Sequence, residues 1–484
     1  MEDKNILGIT TGKEDFSEWY SEVVSKAGII DQRYPVKGFP VYMPWGMFLI
    51  KQVFSMLEDG LHKTGHEPVN FPVVIPEANL SKEKEHVKGF EKEVFWVTHA
   101  GDNELEERLF LRPTSETAMY PMYSLWIRSY MDLPLKLYQS VQVYRYETKM
   151  TKPLMRGREF FWIETHTAQR SEEDVEKQIE EDMKITKEVL DKIGIPFMLF
   201  ESPSWDKFPG AEHTYAYDTL IPDGRSLQVA TTHNLGQKFA KAFDIKFVNE
   251  KQEEVYAYQT CFGPGVSRIV SAIISVHGDD KGLVLPPDVS PVQIAIVPVP
   301  IKGKETEVSK KCESLMKKLR HYRIRCDNRV HRPGFKFNEW EMKGVPLRIE
   351  IGPRDVERNE ATLVRRDSGE KYVIPDDDLE SKIKELVDDI FSNMKFMAEK
   401  RFLSFVNDAK SFSEMESIIS GQGGFVRVPF CSAEKDGEEC AAKIDEIHAK
   451  VRGTIFGRKD NFQGKECIVC GKHARHMVYV AKAY

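Results

Sequence analysis

Ionisable and aromatic side chains alternate along two extended segments of the sequence, residues 135–147 and 159–168. Residues of one parity share a face in a β-strand. One face of this pair would carry Val143, Arg145, Glu147, Phe160, Trp162, Glu164 and His166. A buried face seldom holds so many charges without a ligand, and the rings among them disfavour the alternative of a solvent-exposed strand pair. We predict an antiparallel hairpin that binds a charged ligand.

The tip of this hairpin is basic, and a glycine-rich segment lies farther along the chain. The basic residues of the tip are Lys149, Lys152, Arg156 and Arg158. In Gly263–Arg268, glycines ahead of an apolar helix let backbone N–H groups approach a phosphate, although a tight turn before a core helix is an equally good interpretation. Together the two features predict a triphosphate held between arginines from two places. The motif G-x-x-x-x-G-K-[ST] does not occur, so a P-loop is excluded.

The segment Arg112-Pro113-Thr114-Ser115-Glu116-Thr117 is a polar break that leads into a helix. Thr114 or Ser115 suits an N-cap, and Glu116 suits the positive end of the helix dipole. A ligand-binding role for these side chains is equally consistent with their types. Both interpretations stay open from this segment alone.

The composition is that of a large globular chain. Its 484 residues suggest roughly three or four domains, and contents of 41% hydrophobic and 11% aromatic residues exclude disordered and collagen-like classes. No stretch approaches the roughly 20 apolar residues that span a bilayer, and the charged segment Met1–Asn5 does not predict a secretory signal. We expect a soluble, cytoplasmic protein without a membrane partner.

Charges and cysteines are unevenly distributed. The net charge is −7, but residues 301–372 contain 19 Lys and Arg against 12 Asp and Glu, a net of +7, which leaves −14 for the remainder. A basic segment in an otherwise acidic protein is compatible with the binding of a polyanion at one place. An odd number of cysteines, seven, argues against a disulfide framework. The last 54 residues contain Cys431, Cys440, Cys467 and Cys470.

Regular elements must position these residues. Apolar spacing predicts helices over residues 45–63, 171–193, 269–275, 304–321 and 377–400. Further strands are expected near 215–221, 226–232, 292–299, 323–327 and 347–351. The proline-rich run 68–76 belongs at a sheet edge or an interface. After a linker at 285–291, strands alternate with a helix, which predicts an α/β unit with parallel pairing.

With these motifs in this order, the chain resembles the class II aminoacyl-tRNA synthetases, and among them the prolyl-tRNA synthetases of archaeal and eukaryotic type. The three class motifs are matched by residues 45–63 with Phe71-Pro72, by 143–147 with 156–162, and by 263–268. The family-specific segments are 112–116, 162–166, 228–237 and 332–341. The resemblance covers almost the whole chain.

The resemblance implies an α+β catalytic core over residues 1–285, in which helices flank the antiparallel sheet of the class. An α/β anticodon-binding domain would follow over 286–400, and a small α/β zinc-binding domain over 401–484. It also implies a homodimer, because motif 1 forms the subunit interface in the family. The implied substrates and partners are ATP with Mg²⁺, L-proline and tRNA(Pro).

The reaction implied by the resemblance is that of a ligase. Proline and ATP would form prolyl-adenylate and pyrophosphate, and proline would then pass to the 3′-end of tRNA(Pro). Arg145 would bridge the α-phosphate and the proline carboxylate, and Arg268 would hold the γ-phosphate; these are the expected catalytic residues. The other expected ATP-binding residues are Glu147, Arg156, Phe160, Gln228 and Ser267. Since the proline carboxylate is ionised at pH 7, no general base is needed, and the protein positions reactants and neutralises charge.

For proline itself, the resemblance implies that Thr114 and Glu116 bind the charged secondary amine. The pocket would be completed by Arg145, Trp162, Glu164, His166, Thr231 and His233. Strand parity raises a difficulty, because Gln228 lies on the opposite face from Thr231 and His233. We therefore predict a break or bulge near Ala230.

The resemblance extends to the anticodon and to the end of the chain. Phe337, Glu341 and Arg348 match positions that the family uses on the anticodon, where an aromatic ring stacks on a base and charged groups read base edges. Tyr484 resembles the closing tyrosine of the family, which packs back on the body of the protein.

The four tail cysteines resemble the structural zinc site of the family. Cys467-x-x-Cys470 fits tetrahedral sulfur coordination, whereas Cys431 and Cys440 are farther apart than is usual in zinc ribbons. His473 or His476 therefore stays open as a substitute ligand, and so does a tail that binds no metal.

Other classes of protein also stay open. A synthetase for threonine or glycine would share the motifs, a synthetase-like regulatory protein would lack catalysis, and a zinc-ribbon nucleic-acid binder would leave residues 1–290 unexplained. About a hundred residues separate Glu159 from Gly263, which is too few for the editing insertion of bacterial-type relatives. We therefore expect no hydrolysis of Ala-tRNA in cis.

Overall fold

The computed structural model describes residues 8–80 and 93–484. The expectation that rests on Met1–Asn5 lies outside these residues. Within the described ranges, no helix combines the length and the apolar character that are needed to cross a lipid bilayer.

The first part of the chain contains strands in runs of two or three, and helices separate these runs. Its strands are β1 (Ile30–Asp31), β2 (Val41–Tyr42), β3 (Glu67–Pro68), β4 (Val74–Pro76), β5 (Phe95–Ala100), β6 (Asn103–Leu111), β7 (Leu135–Tyr144), β8 (Glu159–Gln169), β9 (Met198–Glu201), β10 (His213–Leu220), β11 (Ser226–Gly236), β12 (Lys246–Val248), β13 (Glu254–Tyr256) and β14 (Tyr258–Phe262). Its helices are α1 (Phe16–Lys26), α2 (Pro44–Lys63), α3 (Glu77–Leu80), α4 (Glu116–Trp126), α5 (Glu172–Lys192), α6 (Lys238–Phe243) and α7 (Val266–His277).

A central sheet runs in the order β9-β10-β11-β14-β8-β7-β3. Its pairs are antiparallel except for β3 with β7, which is parallel. The predicted hairpin is confirmed, because β7 pairs with β8 from Leu135↔Ala168 to Tyr144↔Glu159. The proline-rich run is also confirmed at sheet edges, since β3 ends the central sheet and β4 ends the small sheet β4-β6-β5.

Helices cover both faces of the central sheet. On one face α2, α5 and α7 share an apolar core that includes Leu57, Ile185 and Ile273. On the other face α4 and α6 bury Tyr120 and Phe239. Burial of each such side chain contributes roughly 1.5–3 kcal/mol. The sheet is therefore held from both sides, which gives the side chains at its surface fixed positions.

The helix predictions hold with small shifts of their ends. The helix predicted over 171–193 is α5, whose N-cap Ser171 accepts a hydrogen bond from Asp174 N (3.2 Å). The predicted short helix 269–275 belongs to the longer α7, because the apolar stripe begins at Val266, directly after Gly265. Helix α2 continues through Gly60 to Lys63.

The middle part of the chain forms a second sheet, in the order β16-β15-β17-β18-β19. Its strands are β15 (Ile294–Pro298), β16 (Ile324–Cys326), β17 (Leu347–Ile351), β18 (Glu360–Arg365) and β19 (Lys371–Pro375). Its helices are α8 (Glu305–Lys318), α9 (Pro333–Met342), α10 (Pro353–Glu357) and α11 (Leu379–Ser404). The prediction of parallel pairing is right for β15 with β16 and β17. It is wrong for the other two strands, because β18 runs antiparallel to β17 and β19 runs antiparallel to β18. The turn between β18 and β19 is too short for the crossover that a parallel pair needs.

The last part of the chain extends the central sheet. Its strands are β20 (Val406–Asp408), β21 (Phe425–Phe430), β22 (Lys450–Ile455) and β23 (His476–Ala481), and its helices are α12 (Phe412–Ser420) and α13 (Glu438–Asp445). Strand β22 pairs with β9, which joins the two sets of strands into one sheet. The buried ion pair of Arg452 Nε with Asp218 Oδ2 (2.6 Å) ties the same two regions together.

His66 is a buried titratable residue in this core, next to the end of α2. Its side chain is 2% exposed, and its Nδ1 lies 2.9 Å from Thr64 Oγ1. Burial, reinforced by the charge of Lys136, lowers the pKa of His66 to about 4. The unfolded chain, with an ordinary histidine pKa of about 6.5, therefore binds the extra proton between these values, and stability falls as the pH falls through this window.

We expect the free energy of unfolding to drop by about 2 kcal/mol from His66 alone between pH 7.5 and pH 5. The His66→Gln variant should show a shallower pH dependence of its denaturant midpoint than the parent protein. The exposed His331→Gln is the matched control and should keep the parent slope. Equal slopes for all three proteins would contradict the assignment.

Candidate active site

A cavity of about 750 Å³ opens above the central sheet. The segments that reach it include the hairpin with its tip, Thr114 and Glu116 at the start of α4, strand β11 and the start of α7. The predicted site residues that line it are Thr114, Glu116, Arg145, Glu147, Arg156, Phe160, Trp162, Gln228, Thr231, His233 and Arg268. Residues far apart in the sequence thus surround one space.

Arg145 lies at the mouth of the hairpin. Strand β7 was expected to continue to residue 147 but ends at Tyr144, because Glu147 N turns back to donate to Arg145 O (2.7 Å). Arg145 Nε donates to Pro113 O (3.0 Å). Its guanidinium carbon lies 5.4 Å from the ring centroid of Phe160 and 5.5 Å from that of Trp162. The charge is therefore directed over the aromatic face of β8, as the parity of the strands predicts.

Arg268 approaches the same space from the first turn of α7. Its Nε donates to Met155 O (3.0 Å) and its Nη1 to Gln228 O (3.1 Å). Two backbone carbonyls thus orient the guanidinium.

Arginine charges accumulate in this cavity. Burial, and then the charges of Arg145 and Arg156, lower the pKa of Arg268 to about 10. Burial also lowers the pKa of Arg145. Like charges brought together out of water destabilise one another unless an anion compensates them. The arrangement is that of a binding site for a polyanion.

The predicted bulge in β11 is confirmed. Tyr217 pairs with Ala230 and the next residue, Asp218, pairs with Gln228, so Val229 is the extra residue. A one-residue insertion changes which side chains face a given side of the sheet. Gln228, Thr231 and His233 consequently all reach the cavity.

A fully buried carboxylate, Glu164, lies beneath the cavity floor rather than in its lining. It accepts hydrogen bonds from Ser115 N (3.1 Å) and Gln139 Nε2 (2.9 Å), and its Oε2 lies 3.3 Å from His166 Nε2. Thr114 Oγ1, which lines the cavity, donates to Glu116 and lies 3.4 Å from Glu164 Oε2. Glu164 therefore contacts Thr114 directly and Glu116 only through Thr114, and these two side chains form the floor.

His166 completes this buried network. Its Nδ1 lies 3.0 Å from Tyr120 Oη. Burial disfavours its charge, but the hydrogen bond to Glu164 and the field of Glu116 outweigh burial, so the pKa of His166 is raised. Burial likewise opposes the charge on Glu164, yet its hydrogen bonds, first that of His166, lower its pKa. The contact between His166 Nε2 and Glu164 Oε2 thus stabilises the charged form of each group and positions the floor from below.

His233 is in a different electrostatic state. Its Nδ1 lies 3.0 Å from Thr214 Oγ1, and its ring packs at 4.6 Å from that of Phe208. Burial, and then the charge of His166, lower the pKa of His233 to about 3. The imidazole is therefore neutral at pH 7 and contributes a flat, weakly polar wall.

Ser267 differs from its expected place. Its hydroxyl accepts a hydrogen bond from Phe161 N (3.0 Å) and points away from the cavity lining. The reason is its position in the first turn of α7, where it faces the neighbouring strand β8 while the next residue, Arg268, faces the cavity. Ser267 fixes the helix to the sheet.

Sequence reasoning missed several residues of the cavity. Cys261 lines the floor, with its Sγ 3.9 Å from Glu116 Oε1. The strand register could have indicated it, because Cys261 pairs with His166. Arg452 and His448 enter from the last part of the chain, and no local signal indicates them. Tyr484 packs back as expected, with its Oη donating to Asp223 Oδ2 (2.9 Å).

The three predicted anticodon residues lie in two settings. The guanidinium carbon of Arg348 lies 4.5 Å from the ring centroid of Phe337, and its Nη2 lies 2.9 Å from Glu350 Oε1. Glu341, one turn beyond Phe337 on α9, forms an ion pair with Lys281 Nζ (2.9 Å). Phe337 and Arg348 thus form a preformed aromatic and cationic surface, whereas Glu341 contacts the first part of the chain.

The four tail cysteines come together although they are distant in sequence. One ligand atom from each of them lies within 4.8 Å of the others, and the Sγ atoms of Cys431 and Cys440 are 3.6 Å apart. Tetrahedral zinc with Zn–S bonds of about 2.3 Å separates its sulfurs by about 3.8 Å. The donor set and its geometry fit zinc, with neither His473 nor His476 in the group.

Comparison with known proteins identifies the family. Three family models match: the tRNA synthetase class II core domain (G, H, P, S and T) over residues 95–277, the anticodon binding domain over 293–386, and the C-terminal domain of prolyl-tRNA synthetase over 412–484. The proline--tRNA ligase of Thermofilum pendens is 52% identical over 99% of both chains.

Solved structures agree with the sequence relatives. The Giardia lamblia prolyl-tRNA synthetase in complex with prolyl-adenylate superposes with a TM-score of 0.94 at 38% identity, over 99% of this chain and 100% of that one. The prolyl-tRNA synthetase from Cryptosporidium parvum complexed with halofuginone and AMPPNP superposes with a TM-score of 0.92 at 33% identity, over 99% of this chain and 97% of that one. On these grounds, and with the motifs arranged around one cavity, the chain belongs to the prolyl-tRNA synthetase family.

Proposed function

We propose that the cavity joins L-proline to ATP, giving prolyl-adenylate and pyrophosphate, and that proline then passes to the 3′-end of tRNA(Pro). The observation that carries this assignment is the convergence of Arg145, Arg156 and Arg268 on one space, next to a floor built from Thr114 and Glu116. Cations suit the phosphates, and the floor suits a charged amine. The names of the relatives support the same reaction.

The arginines act on the nucleotide. Arg145 bridges the α-phosphate and the proline carboxylate, Arg268 holds the γ-phosphate, and Arg156 contacts the triphosphate from the hairpin tip. Fixed guanidinium groups neutralise charge that develops on the leaving pyrophosphate without reorganisation during the reaction. A bound polyanion relieves the mutual repulsion of the three arginines, and this relief contributes to the free energy of binding.

The remaining nucleotide contacts come from the hairpin and β11. Phe160 stacks on adenine, Gln228 contacts ATP, and Glu147 accepts from the adenine amino group or helps hold Mg²⁺. Glu147 lines the cavity, and carboxylate oxygens are suitable ligands for Mg²⁺. When bound, Mg²⁺ neutralises phosphate charge. Ser267 is a positioning residue for Arg268.

Proline occupies the deeper end. Thr114 and Glu116 accept from its secondary amine, and Trp162, Thr231 and His233 form the slot for the ring. Glu164 and His166 act one layer lower, because they fix the floor without lining the cavity. A neutral His233 avoids a second positive charge beside the proline amine.

We assign three domains: residues 1–285 to catalysis, 286–400 to the anticodon, and 401–484 to the zinc site. Phe337 stacks on an unpaired base, while Arg348 and Glu341 contact base edges. We also propose a cytoplasmic homodimer formed through α2 and Phe71–Pro72.

We expect protein purified without chelator to contain about one zinc per chain, held by the four tail cysteines. The reason is that a structural site of four thiolates binds its metal as the domain folds. Cys467→Ser should lose the metal and lower the thermal midpoint. Cys312→Ser, which lies outside the cluster, is the control and should keep it. A metal-free parent protein on elemental analysis would contradict the site.

Discrimination against alanine should be incomplete. A hydrophobic slot rejects a smaller amino acid by only about 1–3 kcal/mol per methylene, so alanine should be activated at a low rate. We expect Ala-tRNA(Pro) to persist in the presence of the protein, as followed by loss of radiolabelled alanine from the tRNA. Prompt hydrolysis would contradict this expectation.

The reaction is tested by ATP–pyrophosphate exchange with each of the twenty amino acids. We expect exchange with proline well above all others, followed by charging of tRNA(Pro). Preferred exchange with threonine or glycine would assign a different synthetase, and no exchange with any amino acid would favour a non-catalytic binding protein.

A further inference from the structure

A glutamine on β7, Gln139, lies beside Glu164 beneath the cavity floor. It is 0% exposed and lies outside the cavity lining. In the register of β7 and β8 it stands directly opposite Glu164, so the two side chains leave the sheet on the same side. Any effect of Gln139 on a ligand must therefore pass through its neighbours.

The amide of Gln139 makes hydrogen bonds with three separate segments of the chain. Its Oε1 accepts from Phe71 N (3.0 Å), and its Nε2 donates to Ser115 Oγ (2.7 Å) and to Glu164 Oε1 (2.9 Å). These partners determine the orientation of the amide, because the reverse orientation would place donor against donor at Phe71 and acceptor against acceptor at Glu164. One side chain thus joins the segment around Phe71, the start of α4 and strand β8.

The segment around Phe71 is a fixed attachment point. The backbone oxygen of Phe71 accepts from Arg112 Nη1 (2.9 Å). On either side of Phe71, Val69 N donates to Tyr138 O (2.8 Å), and Val73 O accepts from Arg112 N (2.9 Å). Because the segment is bonded at each of these residues, Gln139 is anchored firmly at its Oε1.

At its Nε2, Gln139 holds the residue that lies between the two floor residues in the sequence. Ser115 is 0% exposed and separates Thr114 from Glu116. Its hydroxyl donates to Glu164 and accepts from Gln139, and its N–H donates to Glu164 Oε2 (3.1 Å). The hydroxyl is thus directed to the network beneath the floor instead of capping α4. This network fixes the backbone from which Thr114 and Glu116 project.

We propose that Gln139 is a positioning residue for proline, which acts through Ser115 and Glu164 on the floor formed by Thr114 and Glu116. The proposal rests on the assignment of that floor to the proline amine. Groups that are ordered before the substrate arrives lower the entropic cost of binding it. Loss of the Gln139 amide should therefore weaken proline binding.

The nucleotide end of the cavity has other supports. Arg268 is oriented by Met155 O in the hairpin tip and by Gln228 O on β11. These carbonyls belong to elements other than the start of α4. We therefore expect the binding of ATP to be largely independent of Gln139.

Gln139→Met tests the proposal, because methionine has nearly the length of glutamine but lacks the amide. In ATP–pyrophosphate exchange, we expect KM for proline to rise about tenfold or more, since hydrogen bonds to a charged group are lost. KM for ATP and kcat per active site, counted from the burst of adenylate formation, should stay within a factor of about three.

The matched control is Thr219→Val on β10, which removes the hydrogen bond from the buried Thr219 Oγ1 to Pro196 O (2.7 Å) at a distance in sequence from the floor. It should leave KM for proline unchanged. An unchanged KM for proline in Gln139→Met, an equal rise in both KM values, or the same rise in Thr219→Val would each overturn the proposal.

Ser115→Ala provides a second test that does not depend on the folding of Gln139→Met. It keeps the contact between Gln139 and Phe71 but breaks the link to the floor, so KM for proline should again rise. In the double variant the rise should be smaller than the product of the two single effects, because both changes break one network. A wild-type KM for proline in Ser115→Ala, or fully multiplicative effects, would overturn the proposal. Failure of the parent protein to exchange with proline would instead contradict the proposed function.

Discussion

Replacing Arg145 with alanine should lower kcat/KM for proline-dependent ATP–pyrophosphate exchange by about 10³-fold, and Arg268→Ala should do the same. Each guanidinium is fixed before substrate arrives, Arg145 by Pro113 O and Arg268 by Met155 O. Fixed charges act on the transition state at no cost of reorganisation. Their loss should therefore appear mainly in kcat.

The lysine variants separate charge from geometry. Arg268→Lys keeps one positive charge but lacks the planar fork that binds two oxygens, so its activity should fall between those of the parent protein and Arg268→Ala. Arg354→Ala, on the exposed surface of α10, is the matched control and should exchange normally. Retention of activity within tenfold by both alanine variants would contradict the proposed roles.

Glu116→Gln should raise KM for proline by about 100-fold while leaving KM for ATP within a factor of about three, since hydrogen bonds to charged groups contribute about 1.5–3 kcal/mol. The substitution keeps the shape of the floor and removes the negative charge that faces the proline amine. Glu116 is 1% exposed, so water replaces the lost interaction poorly.

The control for this experiment is Glu106→Gln, an exposed carboxylate on β6. It should leave both KM values unchanged. A rise in KM for ATP with KM for proline intact would place the amino acid elsewhere in the cavity. Thr114→Val should act in the same direction as Glu116→Gln with a smaller effect, because a hydroxyl is lost rather than a charge.

The sequence was most informative where periodicity and parity carry a physical consequence. The alternation in the hairpin predicted which side of the sheet Phe160 and Trp162 face, and the register bears this out. The conflict between Gln228 and Thr231 predicted a break or bulge near Ala230, because an extra residue can bring both parities to one side. The structure places that extra residue at Val229.

Prediction was weakest where the position of a residue depends on strand pairing between distant parts of the chain. The junction of β22 with β9 joins residues about 250 positions apart, and nothing local in either strand specifies the partner. For the same reason Arg452 and His448 could not be placed in the cavity. Glu164 and His166 were expected in its wall, but parity alone does not distinguish a lining residue from one a layer deeper, and the helix α4 covers both.

The most direct measurement is a crystal structure of the protein with a non-hydrolysable prolyl-adenylate analogue. We expect the phosphate within hydrogen-bond distance of the Arg145 guanidinium, the adenine stacked on Phe160, and the proline nitrogen in contact with Thr114 and Glu116. In a companion crystal with an ATP analogue, Arg268 should contact the terminal phosphate. A ligand bound with its phosphates away from both arginines would contradict the account.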